Sequence, residues 1–177
     1  MPPHLGYGRQ VSVILRPEQP GDLPFLTGED APFDDFGPRE PRTRVRAADF
    51  HESGSLVVLD ENGDVAGGVS WHWNHWGPNP ESRCPMIGIW LRSSARGRGI
   101  GRLAQSQLAG MLFEHTPTNR VEAHTDVANI AEQRSLEAAG FQREGLVRAA
   151  QWRAGAYHDG YLYSILRSEW EAATRLD

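Results

Sequence analysis

A glycine-rich turn, Arg96-Gly97-Arg98-Gly99-Ile100-Gly101, joins a short apolar run to an amphipathic segment, and this junction constrains the fold more than any other stretch of the chain. The run before it, Met86-Ile87-Gly88-Ile89-Trp90-Leu91, is β-rich and bounded by Pro85 and Arg92-Ser93-Ser94, so it reads as a buried strand. After the turn, Ile100, Leu103, Ala104, Leu108, Met111 and Leu112 recur at helical spacing on one face. A strand that feeds a glycine turn at a helix N-terminus makes an anion site. The first helical N–H groups lack partners within the helix, and that end of the helix dipole is positive. Glycines allow the backbone to approach a phosphate without a Cβ in the way. Arg96 and Arg98 add positive charge, and a pyrophosphate is the natural ligand.

The turn does not match the G-x-x-x-x-G-K-[ST] pattern of a nucleotide-triphosphate loop. It does not match the G-x-G-x-x-G of dinucleotide folds either, and no acidic residue follows about 20 residues later at a second strand end. The pattern that remains, R-x-x-G-x-G, resembles the coenzyme A pyrophosphate loop of the GNAT superfamily of acetyltransferases. A second block, Asn129-Ile130-Ala131-Glu132-Gln133-Arg134-Ser135-Leu136-Glu137-Ala138-Ala139-Gly140-Phe141, resembles the later motif of that family, an Asn opening a short helix that ends in Gly-Phe. Arg143-Glu144-Gly145 continues it. Tyr157-His158-Asp159-Gly160-Tyr161-Leu162-Tyr163-Ser164-Ile165-Leu166-Arg167 resembles the last strand of the branch that includes the ribosomal-protein N-acetyltransferases RimJ and RimL. The resemblance covers about residues 11 to 170.

The resemblance implies an α/β (α+β) fold: a mixed, mostly antiparallel sheet of six or seven strands, flanked by helices, with strands four and five splayed. It implies acetyl-CoA as cofactor, held by the backbone of Ile89, Trp90 and Leu91 along the pantetheine and by Arg96, Gly97, Arg98, Gly99, Ile100 and Gly101 at the pyrophosphate. Asn129 matches the motif Asn and lies near the pantetheine arm, or caps the helix that follows it, or does both. The implied reaction passes the acetyl group to a primary amine, with the oxyanion on a backbone N–H near Trp90.

Composition sets outer limits. A chain of 177 residues fits one domain, here 11–170, with a loose tail over 1–10 and a second tail over 171–177. The net charge of −5 argues against nucleic acid as a partner, including a charged tRNA. One cysteine, Cys84, leaves no intramolecular disulfide and no Cys-rich zinc site. No run is apolar over a membrane-spanning length, so no membrane partner is expected and the cytoplasm is the default compartment. A monomer or a homodimer is expected.

The strands read as Val11–Arg16, Ser55–Asp60, Val65–Trp73, Met86–Leu91, Val121–Val127, Phe141–Gln151 and Tyr157–Arg167. Asn62-Gly63 marks the hairpin between the second and third. Short helices are expected at Asp22–Leu26 and Thr43–Phe50, and longer ones from the glycine turn to His115 and over Asn129–Ala139.

The catalytic groups are less plain. Many relatives place a Tyr seven residues after the motif Asn and a Glu before the Ile-Gly of strand four. This chain has Leu136 and Met86 there, and neither transfers a proton. Ser135 stands beside the Tyr position, and Tyr157 and Tyr161 are further candidates for the leaving thiol. In Trp71-His72-Trp73-Asn74-His75-Trp76, period two sends Trp71 and Trp73 to one face and His72 to the other. His72, or His75, is the candidate for carrying the ammonium proton away through water. Trp71 and Trp73 either offer ring faces to a cation or pack across strands. No further ligands cluster near His72 and His75, so no metal site is expected. Phe33, Asp34, Asp35 and Phe36, within Ala31–Pro38, either hold an ammonium or form a solvated turn with two apolar pins. Glu29, Asp30 and Glu40 are further acidic candidates.

Three uses of such a chain stay open: acetylation of a small-molecule amine, acetylation of a protein N-terminus, and a non-catalytic acyl-CoA-binding or sensory module.

Overall fold

The computed structural model describes residues 11–26, 33–38 and 41–175. Their one sheet has seven strands: β1 (Ile14–Arg16), β2 (Gly54–Leu59), β3 (Val65–His75), β4 (Arg83–Leu91), β5 (Arg120–Asp126), β6 (Gln142–Arg153) and β7 (Ala156–Leu166). Their spatial order is β1-β2-β3-β4-β5-β7-β6, and every neighbouring pair is antiparallel except β4 and β5. Three α-helices accompany them: α1 (Ile100–His115), α2 (Ile130–Ala138) and α3 (Arg167–Thr174). None of these helices is long and apolar enough to cross a membrane. This is the mostly antiparallel α+β sheet that the sequence implied.

Period two explains which face the core takes. Val69 and Trp71, Ile87, Val121 and Ala123, and Tyr163 and Ile165 are all buried and belong to one apolar cluster. Ile100, Ala104, Leu108 and Leu112 of α1 and Leu136 of α2 close that cluster, each without solvent exposure. Trp170 of α3 packs on Phe113 of α1, with ring centroids 5.4 Å apart. The hairpin between β2 and β3 turns on Gly63 at φ +82°, with Asp60 accepting from the amides of Asn62 (2.9 Å) and Asp64 (3.2 Å).

β4 and β5 pair only at Met86↔Glu122 and Ile87↔Ala123. Beyond that point β4 stays with β3 as far as Leu91, while β5 stays with β7 as far as Asp126. A gap therefore opens between Gly88–Leu91 and the last residues of β5, which is the splay the sequence implied.

Two local expectations change. Thr43–Phe50 is not a helix. Its segment is fixed by tertiary contacts instead: Glu18 accepts from Arg42 (2.5 Å) and from the Arg46 amide (2.8 Å), the Ser55 amide donates to the Ala47 carbonyl, and Phe50 stacks on Trp71. The stretch after Arg167 forms α3, although the sequence read 171–177 as a tail. The Leu166 amide donates to Glu169 (2.8 Å), a cap that starts the helix. Residues 1–10 and 176–177, and Glu29, Asp30 and Glu40, lie outside the described residues.

Candidate active site

The splay opens into a cavity of about 570 Å³ at the N-terminus of α1. Ile89, Trp90 and Leu91 form one wall, and Gly97, Gly99 and Gly101 line its end at the N-terminus of α1. Gly97 and Gly99 have φ of +71° and +81°, a left-handed conformation that favours glycine. A Cβ built at either would meet nothing within 4 Å, so the loop backbone is open on the side where a phosphate would sit. The Leu103 amide is bonded to the Gly99 carbonyl, and the amides ahead of it in the first turn of α1 have no helical acceptor. Arg96 braces the loop against β4, its Nε donating to the Leu91 carbonyl (2.9 Å). Its Nη2 is buried with no partner among the described residues. An unpaired buried guanidinium nitrogen beside free amides is suited to a dianionic pyrophosphate, and these residues fit coenzyme A. Arg98 is engaged elsewhere, with Glu61 (2.7 Å) and Asp60 (3.2 Å).

Asn129 lines the cavity and also caps α2, its Oδ1 accepting from the Glu132 amide (3.3 Å). Five residues of the wall that sequence reasoning did not single out are Arg102, Ala131, Glu132, Arg134 and Ala138. Arg102 could have been found from its place in the first turn of α1, and the α2 residues from their position after Asn129. Ser135 faces the cavity, whereas Leu136 is fully buried in the core. The Ser135 hydroxyl donates to Gln105 (2.8 Å), and a Cβ built at Gly101 would come 3.0 Å from its Oγ. Here α1 and α2 meet closely as the floor of the cleft. Gln105, 1% exposed, also donates to the Glu132 carboxyl. Burial pushes the Glu132 carboxyl up to about 7, and the Gln105 hydrogen bond offsets this only in part.

Phe33 and Asp34 reach the same cavity from the opposite side. Their segment is held by Arg153, a buried residue at the end of β6. One guanidinium nitrogen donates to Asp35 (2.8 Å), a second donates to the buried Asp126 at the end of β5, and the guanidinium carbon lies 5.3 Å from the centroid of the Phe33 ring. The Ala154 amide adds a bond to the Asp35 carbonyl (3.1 Å). The Arg153 hydrogen bond holds the Asp35 carboxyl below the usual carboxylate range. His158 Nδ1 lies 3.7 Å from Asp126. Phe36 is 52% exposed at the outer edge of the segment.

The ribbon residues divide between faces as period two requires. Trp71 is buried, stacked on Phe50, with its indole N–H donating to the Glu52 carbonyl (2.7 Å). Trp73 lies under Arg83, whose guanidinium carbon is 4.7 Å from the ring centroid. His72 is exposed on the other face, in register with Met86 where β4 and β5 are still paired. His75 is exposed at the end of β3. Tyr157 is 69% exposed and packs edge-on against Trp152 in the β6–β7 hairpin. Ile89, Trp90, Leu91, Arg96, Gly97, Gly99, Gly101, Asn129, Ser135, Phe33 and Asp34 therefore share one cavity, and Arg98, Ile100, Asp35, Phe36, His72, His75, Trp71, Trp73 and Tyr157 are not among its walls.

Residues 12–142 match the family model described as "Acetyltransferase (GNAT) domain". A protein of Bacillus subtilis (strain 168) named "Putative ribosomal N-acetyltransferase YdaF" is 32% identical over 131 residues, which span 74% of this chain and 68% of that protein. The solved ribosomal-protein-S5-alanine acetyltransferase from Vibrio fischeri is 27% identical with a TM-score of 0.60, over 68% of this chain and 64% of that one. A spermidine N-acetyltransferase SpeG chimera from Vibrio cholerae and hSSAT shares the fold at 21% identity, with a TM-score of 0.70 over 90% of this chain and 98% of its own. The chain thus spans about two thirds of the length of the first two.

Proposed function

The chain belongs to the GNAT acetyltransferase family, which uses acetyl-CoA, and we propose that it acetylates a primary amine of a small molecule by direct attack within a ternary complex. The observation that carries the small-molecule reading is the Arg153 latch. It holds the segment of Phe33 and Asp34 across the cavity from the glycine loop, which supports an enclosed acceptor side over an open groove.

When bound, acetyl-CoA supplies an activated thioester. The amine nitrogen bonds to the acetyl carbon, the C–S bond breaks, the amine gives up a proton and the departing sulfur takes one up. The chain's residues serve this step by position. The glycine loop and Arg96 fix the pyrophosphate end, and Ile89–Leu91 present backbone along the pantetheine in the manner of an added strand. Holding both reactants in one cleft supplies much of the acceleration. With Met86 and Leu136 apolar, His72 is assigned as the water-linked base. It stands on the face away from α1, beside the point where β4 and β5 part. Ser135 is committed to Gln105 and supports the cleft floor, and Tyr157 is given no part in the transfer.

A second reading is acetylation of a protein N-terminus, favoured by the name of the 32% identical relative. The two readings are separated by kcat/KM for a panel of small amines, polyamines included, against short peptides with free N-termini. Higher values for small amines support the proposal. Turnover confined to peptides overturns it in favour of the second reading.

A further inference from the structure

We propose that the Glu132 carboxyl is itself a cofactor-binding group, one that is protonated in the complex and donates a hydrogen bond to a pyrophosphate oxygen of coenzyme A. The inference rests on reading the cleft as the cofactor site.

Glu132 is the third residue of α2 and lines the cavity that also holds Gly97, Gly99 and Gly101. On its inner side it accepts from the Gln105 amide, and Gln105 is in turn fixed by the Ser135 hydroxyl (2.8 Å). No other side-chain hydrogen bond and no ion pair to Glu132 occurs among the described residues. The charged groups that face the same space are known by element. From the glycine loop, Arg96 is bonded to the Leu91 carbonyl, and Arg98 is turned away to Glu61 and Asp60. From α1 and α2, Arg102 and Arg134 line the cavity without pairing to Glu132. From the opposite segment comes Asp34, a second carboxyl. β4 lines the cavity with Ile89, Trp90 and Leu91 and brings no charged group to it.

Two effects then compete. The first turn of α2 favours an anion through the helix dipole, typically by less than about 1 kcal/mol at an exposed end. Withdrawal from water with no cation paired to the carboxyl disfavours the anion, and it prevails, since the carboxyl is pushed up to about 7. A bound pyrophosphate adds like charge beside it and moves the balance further toward the acid. The acid form then offers the phosphate an O–H donor, where the ionised form would offer only repulsion.

The test is calorimetric binding of 3′-dephospho-CoA to the full chain between pH 6 and pH 8. This ligand lacks the secondary phosphate that titrates in that range, and its pyrophosphate keeps a constant charge. The wild type is expected to lose about tenfold in affinity from pH 6 to pH 8, and at pH 7 to take up about half a proton on binding, read from buffers of different ionisation enthalpy. Glu132→Gln is expected to bind with a flat profile and no such uptake. The wild-type proton uptake stands as a test even if the variant folds poorly. S-acetylpantetheine, which has no pyrophosphate, is expected to compete without the pH slope. Equal slopes for wild type and Glu132→Gln, proton release on binding, or a slope as steep with S-acetylpantetheine would overturn the proposal. Failure of both proteins to bind 3′-dephospho-CoA at any pH would overturn the cleft assignment itself, and the proposal with it.

Discussion

Replacing Arg153 by Met tests whether the acceptor side of the cleft depends on one buried cation. The Arg153 and Asp126 side chains are 7% and 4% exposed, so their ion pair is shielded from water. With the cation gone, Asp126 keeps one bond, from the Ala128 amide (2.7 Å), and His158 at 3.7 Å. Removing one partner of a buried pair costs about 3–5 kcal/mol, because the remaining charge is left without compensation. For a chain of this size that lowers Tm by roughly 6–20 °C. The double variant Arg153→Met with Asp126→Asn removes the stranded charge as well, and most of the loss is expected to return. The same change frees Asp35 and the Phe33 ring, while the glycine loop is untouched. KM for the acceptor should therefore rise in the double variant, with coenzyme A affinity close to that of the wild type. Thermal and denaturant unfolding give the stability, and steady-state kinetics give the split. A single variant within about 1 kcal/mol of wild type, or a double variant no more stable than the single, would refute the reasoning.

Other outcomes are expected from the same geometry. Gly99→Asp places a carboxylate on a left-handed residue at the pyrophosphate end, and calorimetry is expected to show coenzyme A affinity reduced at least tenfold; unchanged affinity would remove the loop from the site. His72→Ala is expected to lower kcat by roughly 10²-fold, while full activity would move the base elsewhere. For Glu132, the folded carboxyl titrates near 7 against an ordinary value of 4.5. A raised value means that stability is fully present below 4.5 and is lost as pH rises through 7. Glu132→Gln is therefore expected to match wild type in acid and to exceed it by about 3 kcal/mol above pH 7, read by denaturant titration at both pH values. Equal stability at both would contradict the burial argument.

The parts of the fold that were legible in the sequence are those fixed by local pattern. The apolar run 86–91, the glycine turn and the stripe from Ile100 to Leu112 encode their own strand, loop and helix, and Asn62-Gly63 encodes its hairpin. The Asn129 to Phe141 block was equally plain, because its cap and its terminal glycine bracket one short continuous stretch. What escaped was nonlocal. Arg153 and Asp35 are 118 residues apart, and nothing in either segment marks the pairing. Asp35 read as a free acceptor-binding carboxylate for the same reason. Glu132 looked like an ordinary first-turn acid, and nothing local in the sequence marks its contact with Gln105 of α1. Thr43–Phe50 has some helix-forming residues but no apolar stripe, so contacts from Glu18 and Trp71 decided its path. α3 has one large apolar anchor, Trp170, too few for periodicity to reveal; the spacing of Glu169 after Leu166 was the available signal.

Amine-dependent release of free coenzyme A thiol, with the products of a mixed amine library read by mass spectrometry, tests the central claim most directly. The expected result is thiol release that requires the amine, matched mole for mole by an amine product heavier by one acetyl group. Tight coenzyme A binding with thiol release no faster than hydrolysis for every amine and peptide supplied would contradict it.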